Sequence, residues 1–423
     1  MRERGSENLY VSRPTPAIRD RSDALTGARA LAGLYILLMH FGGPLLTGAP
    51  RWTQTLRETG YVATSFFLML SGFVLTVAYG KKLADGRIDR RGFLIQRVAR
   101  LYPVFALALL LILPFAIVPG WGTATASFGE ARLRWIVLTG LLHATMTHVW
   151  IPRFVLSWNV PDWCVSVEMW FYAVYPVVVV WALGRGRRAL WALAAASWAT
   201  AMAISIAYTV ARPDGFAADA DSIGFYIALY KFSPLVRLPE FLFGVALGGI
   251  YVRSPAEARG RRWATPLLVG TVAVGLVVLL NGDRIPYTLL HNGALLPLYG
   301  ALVWSLLVGR GPIHRALEAR PLVAVGNASY PLYLLQVPVM MWLFLVTGRA
   351  PNAAGFAFMA IALPGIVALS WAVQRWFQPR AQEWMRERLE RVWPRAGVGV
   401  RTATAMGAPE MGPLTPAPVG ARQ

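Results

Sequence analysis

The stretch "GARALAGLYILLMHFGG" (residues 27–43) begins the first long apolar run of the chain. Arg29 is its only permanent charge and His40 its only imidazole. An apolar run of about 20 residues is long enough to cross the roughly 30 Å hydrocarbon core of a bilayer as a helix. The stretch therefore predicts a membrane-spanning helix that carries a cation near one end and a titratable ring further along.

The same apolar character recurs along the whole chain. Its 423 residues are 56% hydrophobic and 15% charged, and the mean hydropathy is +0.48, whereas soluble domains contain about 25% charged residues. We therefore predict an all-α integral membrane protein with about ten transmembrane helices around a central tunnel. The expected spans are 28–46, 60–79, 101–118, 164–183, 189–210, 235–252, 264–280, 291–308, 324–346 and 355–376.

The basic residues distinguish the two sides of this bundle. Of the 41 Lys and Arg, 30 fall on one side, counting Arg375 at the end of the last span with the tail, and 9 on the other. Arg29 and Arg237 lie within spans or at their mouths. Loops rich in Lys and Arg are typical of the cytoplasmic side. We therefore predict that both termini are cytoplasmic and that no signal peptide is cleaved. Topology explains the net charge of +20 better than a nucleic-acid partner does.

Three segments are interpreted separately from the spans. The run "WIVLTGLLHATMTHVW" (135–150) is short, and counting it as a span would invert the orientation of everything after it. We interpret it as a re-entrant or interfacial helix on the external side. Residues 1–23 are predicted as a cytoplasmic disordered segment and residues 379–423 as a basic, disordered cytoplasmic tail, which leaves 24–378 as the transmembrane domain.

Arg29 and His40 are expected to share one helical face. Eleven residues advance an α-helix by 20° more than three full turns and by roughly 16 Å. Taken singly, Arg29 is explained by snorkelling to the interface and His40 by packing. Together they suggest a passage with an anion-binding cation at one end and a general base further in, since neutral imidazole is the usual base for an alcohol.

A second group of candidates lies in the most basic loop, "RRGFLIQRVARLYPVF" (90–105). Arg97 and Arg100 are three residues apart, so their guanidinium groups are neighbours on a helical turn. Paired guanidinium groups suit phosphate oxygens, although a basic loop needs no ligand to explain it. Because these arginines lie on the same side as Arg29, they predict a site for a phosphate-bearing donor whose long arm reaches inward.

Polar residues in other spans complete the candidate site. Glu168 follows Trp163 and precedes Tyr172, and it is expected to orient His40, bind an acceptor hydroxyl or pair with an Arg, because an unpaired carboxylate is costly there. Trp163 and Tyr172 are predicted to bind substrate, as are Arg237 and Glu240, although a mutual ion pair also explains the last two, which are three residues apart. In "GNASYPLYLLQVPV" (326–339), three polar side chains are candidates for lining the passage, unless packing alone explains them: Tyr330, Tyr333 and Gln336.

Motifs for a metal centre are weak. His143 and His148 are five residues apart and should diverge by 140° around a helix, which makes them a poor metal pair. Cys164 is the only cysteine, so a disulfide framework and a cysteine metal cluster are both excluded. We predict no metal.

Taken together, the motifs resemble the family-three membrane acyltransferases, which move acyl groups onto sugars of surface glycans and onto macrolide-type acceptors. The resemblance covers roughly residues 24–378, in the family's order. The matching pieces are Arg29 with ten residues before His40, "FFLMLSGFVLT", "RVARLYP", "DWCVSVEMWFYAVYP", "EFLFGVALG" and "NASYPLYLLQVPV". Two departures are Cys164, where the family usually has Ser, and Gln336, where it often has His.

The resemblance implies ten core helices, a donor of the acyl-CoA type entering from the cytoplasm, and no tightly bound cofactor. It implies that His40 and Arg29 are essential, that Arg97 and Arg100 lie on the donor path and that Glu168 is the family's acid. The expected protein is a bacterial inner-membrane O-acyltransferase whose partners are acyl-CoA, a hydroxyl-bearing sugar, glycan or macrolide, and membrane lipids.

The alternative reading is a transporter or flippase of a lipid-linked or acylated glycan, since ten spans with buried ions and Pro-broken helices are also typical of transporters. Within the enzyme reading, direct transfer and an acyl-enzyme are both open, and direct transfer is favoured because no Ser-His-Asp order is visible.

Overall fold

The computed structural model describes residues 16–118, 132–255, 261–349 and 354–394, and within these ranges every regular element is helical. Short 3-10 and π turns join some of the α-helices. The α-helices are α1 (Pro16–Phe41), α2 (Arg51–Glu58), α3 (Val62–Leu75), α4 (Lys81–Ala84), α5 (Arg90–Ile117), α6 (Arg132–Ala144), α7 (Asp162–Leu183), α8 (Arg187–Ala211), α9 (Phe225–Phe232), α10 (Pro234–Arg253), α11 (Arg261–Leu280), α12 (Tyr287–His291), α13 (Leu296–Val308), α14 (Pro312–Leu317), α15 (Arg320–Asn327), α16 (Ser329–Thr347), α17 (Phe356–Ala372) and α18 (Gln378–Val392).

Ten helical stretches of the described chain are long and apolar enough to span a membrane, which confirms the predicted all-α, multi-pass architecture. Four of them are composite, because a turn or a break joins two or more of the α-helices. The ten stretches are Asp23–Phe41, Arg51–Ala84, Arg90–Ile117, Asp162–Leu183, Arg187–Ala211, Phe225–Arg253, Arg262–Leu280, Tyr287–Val308, Ser329–Thr347 and Phe356–Val392.

The segment 135–150, which was interpreted as a re-entrant or interfacial helix, is helical only in its first part. Helix α6 is a short apolar helix and is not one of the ten spans. It ends at Ala144, and Met146 then takes a left-handed backbone conformation with φ of 57°. The chain turns back there, so the second part of the segment leaves the helix axis.

Two boundaries differ from the predicted domain limits. Helix α1 begins at Pro16, inside the segment predicted to be disordered, and α18 extends to Val392, inside the predicted tail. Helix α18 is stabilised by packing against α5, where the guanidinium of Arg91 donates to the carbonyl of Glu390 at 3.3 Å. The predicted disorder at residues 1–15 and 395–423 lies outside the described residues.

Close backbone contact between α3 and α10 forms the centre of the bundle. A Cβ atom added at Gly244 would lie 1.9 Å from the carbonyl oxygen of Met69, and one added at Gly72 would lie 2.2 Å from that of Phe241. Only glycine fits at such distances, as is typical of small residues at membrane helix interfaces. Gly72 belongs to the piece "FFLMLSGFVLT" (66–76), so this part of the sequence allows the two helices to pack closely.

We expect Gly244→Ala to lower the melting temperature of the detergent-solubilised protein by several degrees, because overpacking costs about 1–3 kcal/mol. Gly270→Ala is the matched control, since no atom lies within 4 Å of the added Cβ atom. Alanine is favoured over glycine in a helix by up to about 1 kcal/mol, so the control should be neutral or stabilised. Equal melting temperatures for the two variants would contradict the close contact.

Candidate active site

A cavity of about 150 Å³ lies between five helices: α1, α3, α5, α7 and α16. Its walls combine apolar side chains with cationic, acidic and hydroxyl groups, which is the composition expected of a small-molecule site. The polar members of its lining are Arg29, Thr64, Ser71, Arg97, Arg100, Cys164, Glu168, Tyr172, Ser329, Tyr330 and Tyr333. The cavity therefore brings together most of the candidates, which were predicted from four separate stretches of sequence.

The local structure of α5 explains how two of the arginines reach this cavity. Asp89 caps the helix, and its side chain accepts a hydrogen bond from the backbone N–H of Gly92 at 2.7 Å. The helix then runs without a break, so Arg97 and Arg100 follow on its second and third turns. Arg97 is buried and Arg100 is exposed.

The cavity concentrates positive charge. Among the described residues, no carboxylate lies within 4.0 Å of Arg29, Arg97 or Arg100. Arg97 instead donates to the hydroxyl of Tyr79 at 2.6 Å, and its guanidinium lies 4.6 Å from the centre of that ring. Such contacts hold a guanidinium in place without neutralising it. The three arginines therefore form a site suited to an anion.

Glu168 lies on α7 and faces the same cavity. It is not the hydrogen-bond partner of His40, which is Gln336, and it forms no ion pair with an Arg within 4.0 Å among the described residues. Its neighbour on the next turn, Tyr172, lies 3.3 Å from the hydroxyl of Ser71 on α3. The structure thus places Glu168 in the cavity wall with the three arginines and away from His40.

The shared face of Arg29 and His40 is confirmed, because both side chains contact α16. The guanidinium of Arg29 donates to the hydroxyl of Ser329 at 2.9 Å, and Nδ1 of His40 lies 3.1 Å from Oε1 of Gln336. Helix α1 is continuous between the two residues and ends only before the Gly42–Pro44 segment. The separation of eleven positions thus corresponds to a rise of roughly 16 Å along a single axis.

His40 does not line the cavity itself. It is exposed at the end of α1, while Tyr333 lines the cavity and accepts a hydrogen bond through its backbone carbonyl from Gln336. Gln336 thus connects the cavity wall to the imidazole. Helix α2 lies beside this end of α1, where Arg57 donates to the carbonyl of Met39 at 2.9 Å.

Three residues predicted to bind substrate lie away from the cavity walls. Arg237 and Glu240 are fully buried and form an ion pair at 2.9 Å, and Arg237 also donates to the carbonyl of His291 at 2.9 Å. Trp163 packs against Phe232 with ring centres 4.9 Å apart. Arg237 and Glu240 therefore pair with each other, and none of the three residues lines the cavity.

The predicted divergence of His143 and His148 is wrong. Their rings stack with centres 3.8 Å apart and planes within 10°, because α6 ends between them. Each ring faces its own oxygen of Asp162, at 2.7 Å for His143 and 3.2 Å for His148. Burial lowers the pKa of His148 below its ordinary value, which keeps this ring neutral.

These three side chains offer donor types that bind divalent metals. A nitrogen lone pair lies in the plane of its ring, however, and the two rings occupy parallel planes. Both lone pairs cannot point at one ion unless a ring rotates. In the observed arrangement, one carboxylate is hydrogen-bonded to His143 and lies 3.2 Å from a nitrogen of His148, and it joins α6 to the start of α7.

The structure also contains a Ser-His-Asp chain that the sequence order did not reveal. His143 contacts Asp162 through Nδ1 and the hydroxyl of Ser157 through Nε2, the latter at 3.0 Å. Ser157 is 4% exposed, lines no described cavity and lies within hydrogen-bonding distance of the carbonyl of Phe154. A buried serine without access to a cavity is a poor nucleophile, so this chain is best explained as a structural connection.

Sequence reasoning missed several residues of the site. Ser329 holds Arg29, Tyr79 holds Arg97, and Ser71 contacts Tyr172. The sequence could have indicated Ser329, because this residue precedes Gln336 by seven residues and so lies on the same face of α16. Tyr79 and Ser71 had no such signal in the sequence, because only tertiary packing brings Tyr79 to Arg97 on α5 and Ser71 to Tyr172 on α7.

Comparison with known proteins gives a family match over almost the whole bundle. The sequence model of the family described as "Acyltransferase domain" matches residues 22–375. No solved structure matches the chain.

Relatives agree with this match. The chain is 26% identical to the acyltransferase MdmB of Streptomyces mycarofaciens over 338 residues, which cover 76% of this chain and 80% of that protein. It is 20% identical to the O-acetyltransferase OatA of Staphylococcus aureus over 368 residues, 82% of this chain. That match spans about half, 54%, of the length of the staphylococcal protein. Protein 2 in the picA locus of Rhizobium radiobacter is 33% identical over 163 residues, 37% of this chain and 81% of that protein.

Proposed function

This chain belongs to the acyltransferase family, whose sequence model covers nearly the whole helical bundle, and we propose that it is an integral-membrane O-acyltransferase. The proposed donor is acyl-CoA, and the proposed acceptor is a hydroxyl of a carbohydrate or glycosylated molecule. The observation that carries this proposal is the placement of Arg29 and His40 on one face of α1, both held by α16. A cation at one end and an imidazole at the other suit a donor with an anionic head and a reactive far end.

The donor site is assigned to the arginine-lined cavity. Arg97, Arg100 and Arg29 carry positive charge that no carboxylate of the described residues neutralises within 4.0 Å. Charge-assisted hydrogen bonds from guanidinium groups are strong and suit phosphate oxygens. We place the phosphates of acyl-CoA at the α5 end of this cavity and the pantetheine arm along α16 toward His40.

In the proposed reaction, Nε2 of His40 accepts the proton of the acceptor hydroxyl as the oxygen attacks the thioester carbonyl. The new C–O ester bond forms, the C–S bond breaks, and the leaving thiolate of CoA takes up the proton from the imidazolium. General-base assistance of this kind contributes roughly 10²–10⁴ in rate. Transfer is direct, and Glu168 binds a hydroxyl of the substrate.

The distribution of Lys and Arg supports a location in the bacterial plasma membrane with both termini in the cytoplasm. In this orientation, the cavity receives acyl-CoA from the cytoplasmic side, and His40 lies toward the external side, where the acceptor binds.

Release of free CoA thiol by the purified protein in detergent tests the proposal. We expect thiol release from acetyl-CoA that depends on an added glycan or macrolide acceptor, with the acyl group recovered as an ester on that acceptor by mass spectrometry. Detergent removes the two compartments that a transporter needs. Movement of the acceptor across the membrane of proteoliposomes, with no thiol release for any acceptor tested, would instead identify a transporter.

A further inference from the structure

We propose that Gln336 is a positioning residue for His40: its side-chain carbonyl fixes the proton of the neutral imidazole on Nδ1 and leaves Nε2 as the base. This inference rests on the proposed function, in which His40 accepts the proton of the acceptor. It assigns Gln336 a role different from substrate binding, since its amide groups are used within the protein.

The orientation of the Gln336 amide follows from its second contact. Its Nε2 donates to the backbone carbonyl of Tyr333 at 3.0 Å, one turn earlier on α16. A backbone carbonyl only accepts hydrogen bonds. A flipped amide would place two oxygen atoms against each other, so the amide nitrogen belongs at Tyr333 and the oxygen, Oε1, belongs at His40.

Packing holds this amide in one place. Gln336 is 1% exposed, and its neighbours on α16, Leu334 and Leu335, are also buried. A buried amide group that lost its partner would cost about 1–3 kcal/mol. Both of its hydrogen bonds are thus favoured together, and the imidazole meets a fixed oxygen at 3.1 Å.

A fixed acceptor decides the tautomer of His40. The amide oxygen cannot donate, so the ring nitrogen that faces it, Nδ1, carries the hydrogen. In neutral imidazole the other nitrogen then carries the lone pair. Among the described residues, no side chain or backbone group hydrogen-bonds Nε2, and the ring is exposed. The nitrogen that acts as base is therefore the one that substrate can reach.

The same contact acts again when the ring takes up a proton. The Nδ1–H group of an imidazolium is a charge-assisted donor and forms a stronger hydrogen bond to Oε1 than the neutral ring does. Gln336 thus stabilises the charge that develops on His40 during transfer. A carboxylate at position 336 would do so more strongly and would raise the pKa of the ring.

Two substitutions distinguish positioning from packing. We expect Gln336→Met, which keeps the length and removes the acceptor, to lower kcat about 10- to 100-fold with little change in the KM for acyl-CoA. Gln336→Glu restores an acceptor for Nδ1–H, so it should retain more activity than the methionine variant. It should also move the acidic limb of the pH–rate profile to higher pH. Gln374→Met, on the turn after α17, is the matched control and should behave as the parent protein.

A direct measurement of the tautomer makes the test independent of activity. ¹⁵N-histidine spectra of the parent protein, with His40 assigned by its absence in His40→Ala, should show the proton on Nδ1. In Gln336→Met, that single-tautomer signature should be lost while the melting temperature stays close to that of the parent.

The inference is overturned if Gln336→Met keeps the parent kcat and pH profile, or if the parent His40 carries its proton on Nε2. It is also overturned if the glutamate variant is as impaired as the methionine variant with no shift in its profile. If His40→Ala turns over normally, the proposed base is wrong. If His40→Ala is inactive while Gln336→Met turns over normally, only the role of Gln336 is disproved and the proposed function stands.

Discussion

Replacing His40 with alanine is expected to reduce acceptor-dependent CoA release by about 10²- to 10⁴-fold, the range that a positioned general base supplies. The substitution removes the nitrogen that takes the acceptor proton, while the arginine-lined cavity, which His40 does not line, stays intact. Binding of acyl-CoA should therefore be unchanged. Steady-state thiol release and calorimetric titration with acyl-CoA measure the two effects separately.

His314→Gln provides the control for loss of an imidazole elsewhere in the bundle. His314 lies near the backbone carbonyl of Ser305, 3.1 Å from Nε2, and does not line the arginine-lined cavity. This variant should keep its turnover. Full turnover in His40→Ala, with a normal donor and acceptor, would show that another group takes the proton.

Arg100→Ala is expected to raise the KM for acyl-CoA by about 10- to 100-fold with a smaller change in kcat. A hydrogen bond to a charged group contributes about 1.5–3 kcal/mol, and 1.4 kcal/mol corresponds to a factor of ten. Arg100 is exposed and lines the cavity, so its loss should leave the fold intact. The KM of the parent protein should also rise with added salt, because salt screens exposed charges.

Arg185→Ala is the matched control for charge. Arg185 is exposed in the turn between α7 and α8, on the side of the bundle with the most Lys and Arg. An equal rise in KM for both variants would mean that general attraction, not a specific site, concentrates the donor. A truncated donor without its phosphates should bind the parent protein and Arg100→Ala with the same affinity.

The sequence predicted the features that depend on one helix or on composition. Ten spans followed from apolar length, and the alignment of Arg29 with His40 followed from helical periodicity alone. Arg97 and Arg100 were recognised for the same reason, since a capped, unbroken α5 keeps their spacing.

What could not be predicted depends on where helices end and how they meet. The stacking of His143 on His148 requires α6 to stop at Ala144, and no residue type there demands this. The position of Glu168 beside the arginines, and not beside His40, depends on how α7 and α5 pack together. Gln336 was predicted to line the passage because its partner His40 lies on another helix, α1, and their contact depends on how α1 and α16 pack together.

The contact of α18 with α5 places the last helix beside the arginines assigned to the donor, since Gln378 also donates to the carbonyl of Arg100 at 3.4 Å. Helix α2, by contrast, lies beside His40. A fluorescent label after Val392 therefore senses events at the donor end, and a label on α2 senses events at the acceptor end. The order in which the two substrates arrive can thus be read from two colours on a single molecule.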